Sequence, residues 1–184
     1  TPGFGANLPE SSVLLGPGST GFVPNNTDGV VGVAFANPAQ YFDVLLHRSG
    51  TTTVDMNVTI DKLAIDNNGA RFTLPRGFTF NSLIGLEQFR GNSVIDGTLN
   101  AGVVALFGGR MIGSGTVATD AFFNVGGQLL PGGQNRTGSF TIDGDYVQVG
   151  TGTLIVDIGA ILGVQTQDLL TVTGDAILGG NLVV

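Results

Sequence analysis

Cysteine is absent from this sequence of 184 residues, and lysine occurs only once, at Lys62. Without cysteine the chain has no disulfide bond, no zinc–thiolate site and no thiol nucleophile. Charged residues make up only 11% of the chain, which is about half the share found in a typical globular domain. The residues that favour helices on their solvent faces are scarce or scattered. A helical or α/β fold is therefore disfavoured.

Positive charge is in especially short supply. The formal net charge is −7 and the isoelectric point is near 4.3. The six arginines are spread from Arg48 to Arg136 without forming a cluster. Nucleic acids and anionic membrane surfaces are bound by clustered Lys and Arg. We therefore expect neither as a partner of this chain.

The residues that are abundant favour strands and turns. The chain contains 31 glycines, and Val, Thr, Leu, Ile, Phe, Asn and Asp supply much of the rest. The longest apolar stretch runs from Leu154 to Val164 and is interrupted by Asp157. It falls short of the roughly 20 residues that a transmembrane helix needs. The composition predicts an all-β protein with no membrane-spanning helix.

The residue pattern of the chain changes near residue 41. Residues 1–40 hold five of the seven prolines, which predicts an irregular lead-in or cap segment. From residue 41 onwards, short apolar runs alternate with Gly, Asn or Asp. The runs are shorter than average strands, and they are too closely spaced for crossover helices between them.

Many of the turns repeat a similar phrase at loose intervals of roughly 14 to 28 residues. The phrases lie at residues 96–99, 113–117, 138–140, 152–154 and 179–182. Such repetition is typical of a β-solenoid, in which short strands are joined by tight glycine bends. An antiparallel β-sandwich is the alternative, since it also consists of many short strands. A sandwich would favour longer strands and cleaner alternation than Val103–Phe107 offers.

The C-terminal residues 126–184 carry an ordered series of phrases. They read Gly126-Gly127-Gln128-Leu129-Leu130-Pro131-Gly132, then Gly138-Ser139-Phe140-Thr141-Ile142-Asp143-Gly144-Asp145-Tyr146-Val147-Gln148, then Gly152-Thr153-Leu154-Ile155-Val156-Asp157-Ile158 and finally Asp168-Leu169-Leu170-Thr171-Val172-Thr173-Gly174-Asp175-Ala176-Ile177-Leu178-Gly179-Gly180-Asn181-Leu182. This order resembles the end of the passenger domain of bacterial autotransporters, which cross the outer membrane by type V secretion. Residues 69–74, 96–99 and 113–117 resemble the upstream coils of the same family.

The resemblance implies a right-handed parallel β-helix. Its coils would occupy residues 41–125, and residues 126–184 would be an autochaperone-like end that folds first. It also implies a secreted or surface-displayed protein of the bacterial outer membrane, with an upstream passenger and a downstream outer-membrane β-barrel as partners on its own polypeptide. The candidate residues of the folding nucleus are Gly138, Asp143, Gly144, Asp145, Tyr146, Gly152, Leu154, Asp168, Leu170, Gly174 and Leu178.

Elementary physics agrees with a templating role for that end. A single coil of a solenoid cannot bury its own apolar face, so folding needs an unusually stable starting point. Residues 140–184 are the part of the chain richest in Val, Leu and Ile. The last coil of a solenoid also leaves one strand edge uncovered, and such an exposed end can pair with another copy of the chain.

Candidates for catalysis are few. His47 is the only histidine, and we expect it to lie in a surface turn. Asp143 and Asp145 are the best carboxylate pair, because residues two apart face the same side of a strand. A second pair is Asp61 with Asp66, and Arg136 is the one cation near the first pair.

We predict no catalytic, cofactor or metal site from these residues. The expected function is a non-catalytic scaffold or adhesin, with a host-surface or glycan ligand. The alternative is a carbohydrate-binding or carbohydrate-active β-helix, that is, a polysaccharide hydrolase or lyase. We expect Phe78, Phe80 and the pair Phe122–Phe123 to stack in the interior rather than to form an exposed platform.

Overall fold

The computed structural model describes residues 42–133, 136–161 and 164–184, and every regular element in these ranges is a β-strand. The predicted lead-in or cap over residues 1–40 lies outside the described residues. Across the three described ranges, no helix is long and apolar enough to cross a membrane. The all-β prediction is confirmed.

The strands are numbered here in chain order, and most are three to five residues long. They are β1 Asp43–Leu46, β2 Gly50–Thr53, β3 Val58–Ile65, β4 Ala70–Leu74, β5 Thr79–Gln88, β6 Asn92–Ile95, β7 Thr98–Leu106, β8 Arg110–Gly113, β9 Thr116–Asn124, β10 Gln128–Pro131, β11 Ser139–Gln148, β12 Thr153–Ile155, β13 Ile158–Ile161, β14 Val164–Gln167, β15 Leu169–Val172, β16 Ala176–Leu178 and β17 Asn181–Val183.

These strands form two parallel sheets that alternate along the chain. The long-strand sheet has the order β1-β3-β5-β7-β9-β11-β15, with β16 also paired to β11, and the short-strand sheet has the order β17-β12-β10-β8-β6-β4-β2. Each coil therefore adds one layer to both sheets. Within the described ranges only the hairpin β13–β14 is antiparallel. The structure is a parallel β-solenoid, as predicted, and the antiparallel sandwich is excluded.

The long strands have a bulge-like irregularity in the middle, which we call the bend, and the pairing register shifts there. The shift lies between Ser82 and Gly85 in β5 and between Asp143 and Asp145 in β11. We call the residues before the bend the first arm and those after it the second arm. In the last coil the arms are separate strands, since β15 pairs with the first arm of β11 and β16 with its second arm.

Coil length varies because insertions lie between the sheets. Thr98 pairs with Thr116, so this coil advances by 18 residues. Ser139 pairs with Leu169, and that coil of 30 residues includes the hairpin β13–β14. The insertions leave the ladders intact, which explains why the repeats are loose in sequence although the stacking is regular.

The core contains two pairs of aromatic rings in contact. Phe72 and Phe80 meet edge to face with ring centroids 5.1 Å apart, and Phe122 lies 5.7 Å from Tyr146. The interior prediction is confirmed for Phe80 and Phe122, whereas Phe123 is 37% exposed. The prediction was wrong for Phe123 because successive side chains of a strand point to opposite faces of the sheet. Phe78, placed just before β5, is only partly buried against the core.

Several glycines lie where a carbonyl oxygen of the preceding coil approaches closely. Gly144 lies at the bend of β11 with φ +146°, and a Cβ there would overlap the carbonyl oxygen of Thr119. Gly50, the first residue of β2, has a similar φ of +142° but open space around the Cβ position. A substitution at Gly50 therefore meets backbone strain alone, whereas one at Gly144 meets both backbone strain and crowding from the neighbouring coil.

We expect Gly144→Ala to destabilise the fold by about 3 kcal/mol, since it adds overlap with the neighbouring coil to the strain of positive φ. Gly50→Ala carries the strain alone and should lose about 1 kcal/mol. The free energy of unfolding in urea, measured for both variants, checks this difference. Equal losses would show that coil packing does not require glycine at the bend.

Candidate functional site

A chain of buried polar side chains links the last three coils. The Tyr146 hydroxyl donates to Oε1 of Gln148 at 2.7 Å, and Nδ2 of Asn124 donates to the Tyr146 oxygen at 3.3 Å. Nε2 of Gln148 donates to the carbonyl oxygens of Gly179 and Asn181 at 2.6 and 2.9 Å. One network therefore ties the buried side chains of β9 and β11 to backbone carbonyls of the final turn.

Asn124 extends this network to β12. Its Nδ2 also donates to the carbonyl oxygen of Thr153 at 3.2 Å, whereas its Oδ1 is buried and has no partner in the described part of the chain. A buried acceptor without a donor costs about 1–3 kcal/mol. The two bonds that Nδ2 donates therefore hold Asn124 in place, while its unpaired Oδ1 lowers the stability of the fold.

Gln88 repeats the same device in an upstream coil. Its Nε2 donates to the carbonyl oxygens of Gly91 and Arg110, both at 3.0 Å, and Ser93 Oγ donates to its Oε1 at 2.6 Å. The strand register places Gln88, Leu106, Asn124 and Gln148 in one inward column. We call the three amide side chains in it, those of Gln88, Asn124 and Gln148, the amide column.

The site residues predicted from the sequence include Tyr146, which lies beside the amide column, but none of the three amide residues. A signal was present, because Gln88, Asn124 and Gln148 each precede an apolar residue, and a glycine follows within three positions. That residue order marks the turn from the long-strand sheet to the short-strand sheet.

Burial raises the pKa of Tyr146 to about 12, and the hydrogen bond from Asn124 opposes this shift only in part. The side chain is fully buried, so the neutral phenol is favoured in the folded protein over the phenolate.

The predicted residues 143–145 lie at the bend of β11 and bind the last coil. Asp143 Oδ1 accepts a hydrogen bond from Thr173 Oγ1 at 2.7 Å, and the Gly144 amide donates to that same hydroxyl at 3.0 Å. Asp145 Oδ1 accepts from the backbone amide of Asp175 at 2.9 Å. A Cβ at Gly174 would collide with this carboxylate oxygen. The structure thus brings these four predicted residues together as one clamp between coils.

Asp168 forms a second clamp. It is 7% exposed, and its two carboxylate oxygens accept from the amides of Gly138 and Asp157, both at 2.8 Å. The Asp168 amide in turn donates to the carbonyl oxygen of Asp157 at 2.9 Å. The side chain therefore closes the base of the β13–β14 insertion and ties it to the start of β11.

The remaining predicted residues divide between core and surface. Leu154 and Leu170 pack against the core, and Gly152 is buried where a Cβ would meet the carbonyl oxygen of Asn124. Leu178 is 69% exposed, because β16 and β17 have no further coil stacked on them in the described chain. Leu178 therefore stands apart from the buried set.

The carboxylate pairs considered for catalysis do not form matched pairs. Asp143 and Asp145 lie on either side of the register shift in β11, and each bonds the last coil. Asp61 is buried and accepts from the Phe42 amide at 2.6 Å. Asp66 is exposed and forms an ion pair with Arg90 at 3.4 Å.

The other reactive groups lie at the surface. His47 is exposed in a turn, as expected, and Arg136 is exposed ahead of β11. The described residues contain no group of three or more His, Cys, Asp or Glu side chains that could hold a metal ion.

Comparisons with known proteins yield no match: no family model, no curated protein and no solved structure matches this chain. The fold defines its class, a parallel β-solenoid whose last coils are tied by polar side chains.

Replacing Asp168 with Ala should destabilise the protein by about 2 kcal/mol, because two amides that donate to its carboxylate lose their acceptor. Asp55→Ala, at an exposed residue, is the control and should change the stability by less than about 0.5 kcal/mol. Urea unfolding of both variants tests this. A loss at Asp168 no larger than at Asp55 would contradict the clamp.

The raised pKa of Tyr146 predicts a loss of stability in alkali. The unfolded chain releases this proton near pH 10 and the folded chain near pH 12. The contribution is therefore complete below pH 10 and is lost as the pH rises through 12, by about 2–3 kcal/mol in total. Unfolding free energies measured between pH 9 and 12 should show this decline, and Tyr146→Phe should remove it. An identical decline in the variant would contradict the assignment.

Proposed function

We propose that this chain is a non-catalytic β-solenoid scaffold of an autotransporter-like protein, secreted or displayed at the bacterial outer membrane by type V secretion. In this proposal its coils present an adhesive surface to a host or glycan ligand. Residues 126–184 nucleate folding of the rest of the polypeptide. The resemblance in residue order over 126–184 is the basis for the family, and the parallel solenoid is compatible with it.

The observation that carries the folding role is the pair of clamps in the last coils. Asp168 and Asp145 each accept a backbone amide about 30 residues away along the chain. Such bonds close the longest of the coils in the described ranges, and the loop entropy of that coil is the greatest obstacle to their stacking. Once that coil is closed, its strand edges offer a complete template to the coil before it.

The support for a scaffold rather than an enzyme is the use of the polar residues. Asp143, Asp145 and Asp168 are engaged in bonds that hold coils together. A hydrolase needs two carboxylates that flank a substrate bond, and engagement of these groups with the chain itself argues against that use.

Refolding kinetics of the 184-residue chain test the nucleus. Asp145→Ala and Asp96→Ala form a matched pair, because each carboxylate accepts one backbone amide of the next coil, from Asp175 at 2.9 Å and from Ser114 at 3.0 Å. For equal losses of about 1 kcal/mol, Asp145→Ala should slow refolding about fivefold, whereas Asp96→Ala should mainly speed unfolding.

The reverse pattern would overturn the C-terminal nucleus. A double variant that combines Asp143→Ala with Asp145→Ala tests catalysis. If that double variant keeps its fold and loses a glycan-cleaving activity that the unaltered chain has, the scaffold proposal is wrong.

A further inference from the structure

An open groove runs along the outer side of the bend in the long-strand sheet. Its volume is about 600 Å³, which is within the range of known ligand sites. It crosses the layers from β3 to β11. The residues that line it are Thr59, Asn81, Ser82, Leu83, Asn100, Ala101, Gly102, Ala118, Thr119, Asp120 and Asp143.

The floor of the groove is a column of outward side chains in register. Thr59, Asn81, Asn100, Ala118 and Asp143 occupy equivalent positions in five successive layers. The first three are joined by hydrogen bonds, in which Asn81 Nδ2 donates to Thr59 Oγ1 at 2.8 Å and Asn100 Nδ2 donates to Asn81 Oδ1 at 2.7 Å. These bonds fix the amide planes and direct the chain of donors toward Thr59.

Ala118 interrupts this column and makes a notch. Its methyl group lies between the amide of Asn100 on one side and the carboxylate of Asp143 on the other. Asp120, which is exposed, lines the same stretch of the groove. The notch therefore offers hydrogen-bond acceptors around a small apolar floor.

An apolar wall stands beside the polar column. In β5 the bend holds one residue more than in β7, so that Leu83 and Ile84 project outward and are 52% and 60% exposed. Leu83 lines the groove. A ligand in the groove would meet an aliphatic side on one flank and amide and carboxylate groups beneath it.

The chemistry of the lining selects the class of ligand. The described lining residues include two carboxylates and neither Lys nor Arg, so an anionic polymer would be repelled. A peptide bound by β-augmentation needs a free strand edge, but the groove lies on the face of the sheet, across strands β3 to β11, each of which is paired with a neighbour on both sides. A sugar chain fits both features, because its hydroxyl groups can donate to the acceptors and its apolar ring faces can pack on the aliphatic wall.

We propose that this groove binds an uncharged linear oligosaccharide that lies along the solenoid axis. The layers are about 4.8 Å apart, which is close to the advance of one pyranose ring in an extended glycan. Hydroxyl groups donate to Asp120, Asp143 and the Asn100 amide oxygen, and a ring face packs on Leu83. The inference rests on the proposed function in that it names the ligand class of the displayed surface.

Equilibrium binding of cellohexaose and of N-acetylated chitohexaose to the folded 184-residue chain tests this site. Ala118→Leu fills the notch and should weaken binding of the recognised hexasaccharide at least about tenfold. Ala121→Leu is the matched control, because both alanines are half-buried outward residues of β9 and only Ala118 lines the groove. Asp120→Asn, at an exposed residue, should weaken binding without disturbing the fold.

The proposal is overturned if neither hexasaccharide binds at millimolar concentration. Equal weakening by Ala118→Leu and Ala121→Leu would also overturn it, as would tighter binding of hexagalacturonate, an anionic control. Melting temperatures of the three variants establish that the binding changes are not unfolding. Because binding is measured on folded protein, its failure leaves the refolding result for Asp145 intact, and the converse also holds.

Discussion

The whole structure depends on the parallel ladder, in which each coil supplies the backbone partners of the next. In the two parallel sheets a strand cannot satisfy its N–H and C=O groups within its own coil, because its neighbours come from the coils before and after it. This requirement sets the distance between coils, and it leaves no room for a Cβ where a bend approaches the carbonyl below, as at Gly144. It also creates the inward carbonyls that the amide column binds. Glycine content and buried amides are therefore two consequences of one stacking rule.

Much of the fold could be predicted because these constraints are local in sequence. The turn phrases at 96–99 and 113–117 mark the positions where the chain leaves one sheet for the other, and the strands β7 and β9 begin within them. The bend inside each long strand could not be predicted. It depends on which residues of successive coils face each other, as when two residues of β5 at the bend, Leu83 and Ile84, stand opposite one residue of β7. That register exists only after stacking.

The candidate site was predictable to a similar degree. The cluster at 143–145 came from a contiguous phrase, and the structure places it at one bend against Gly174. Gln148 and Asn124 escaped notice because a Gln or Asn before a turn has many ordinary uses, and only the inward column reveals their shared role. Leu178 shows the opposite limit. An apolar residue at a strand position is buried only if another layer covers it, and sequence pattern carries no information about that cover.

The same stacking rule makes the outer surface of the solenoid regular. Outward residues at equivalent positions of successive coils form columns that run along the axis, so a short repeat in sequence becomes an extended stripe. One such stripe is polar and holds the Thr59 and Asn100 side chains of the groove. Another is apolar, and in it Phe89 and Phe107 stack with ring centroids 5.1 Å apart. Because both stripes are fixed to a backbone whose hydrogen bonds are already satisfied, substitutions on them can change what the surface binds at little expense to the fold. In the proposed scaffold, this arrangement separates recognition on the outer columns from stability in the hydrogen-bonded ladder.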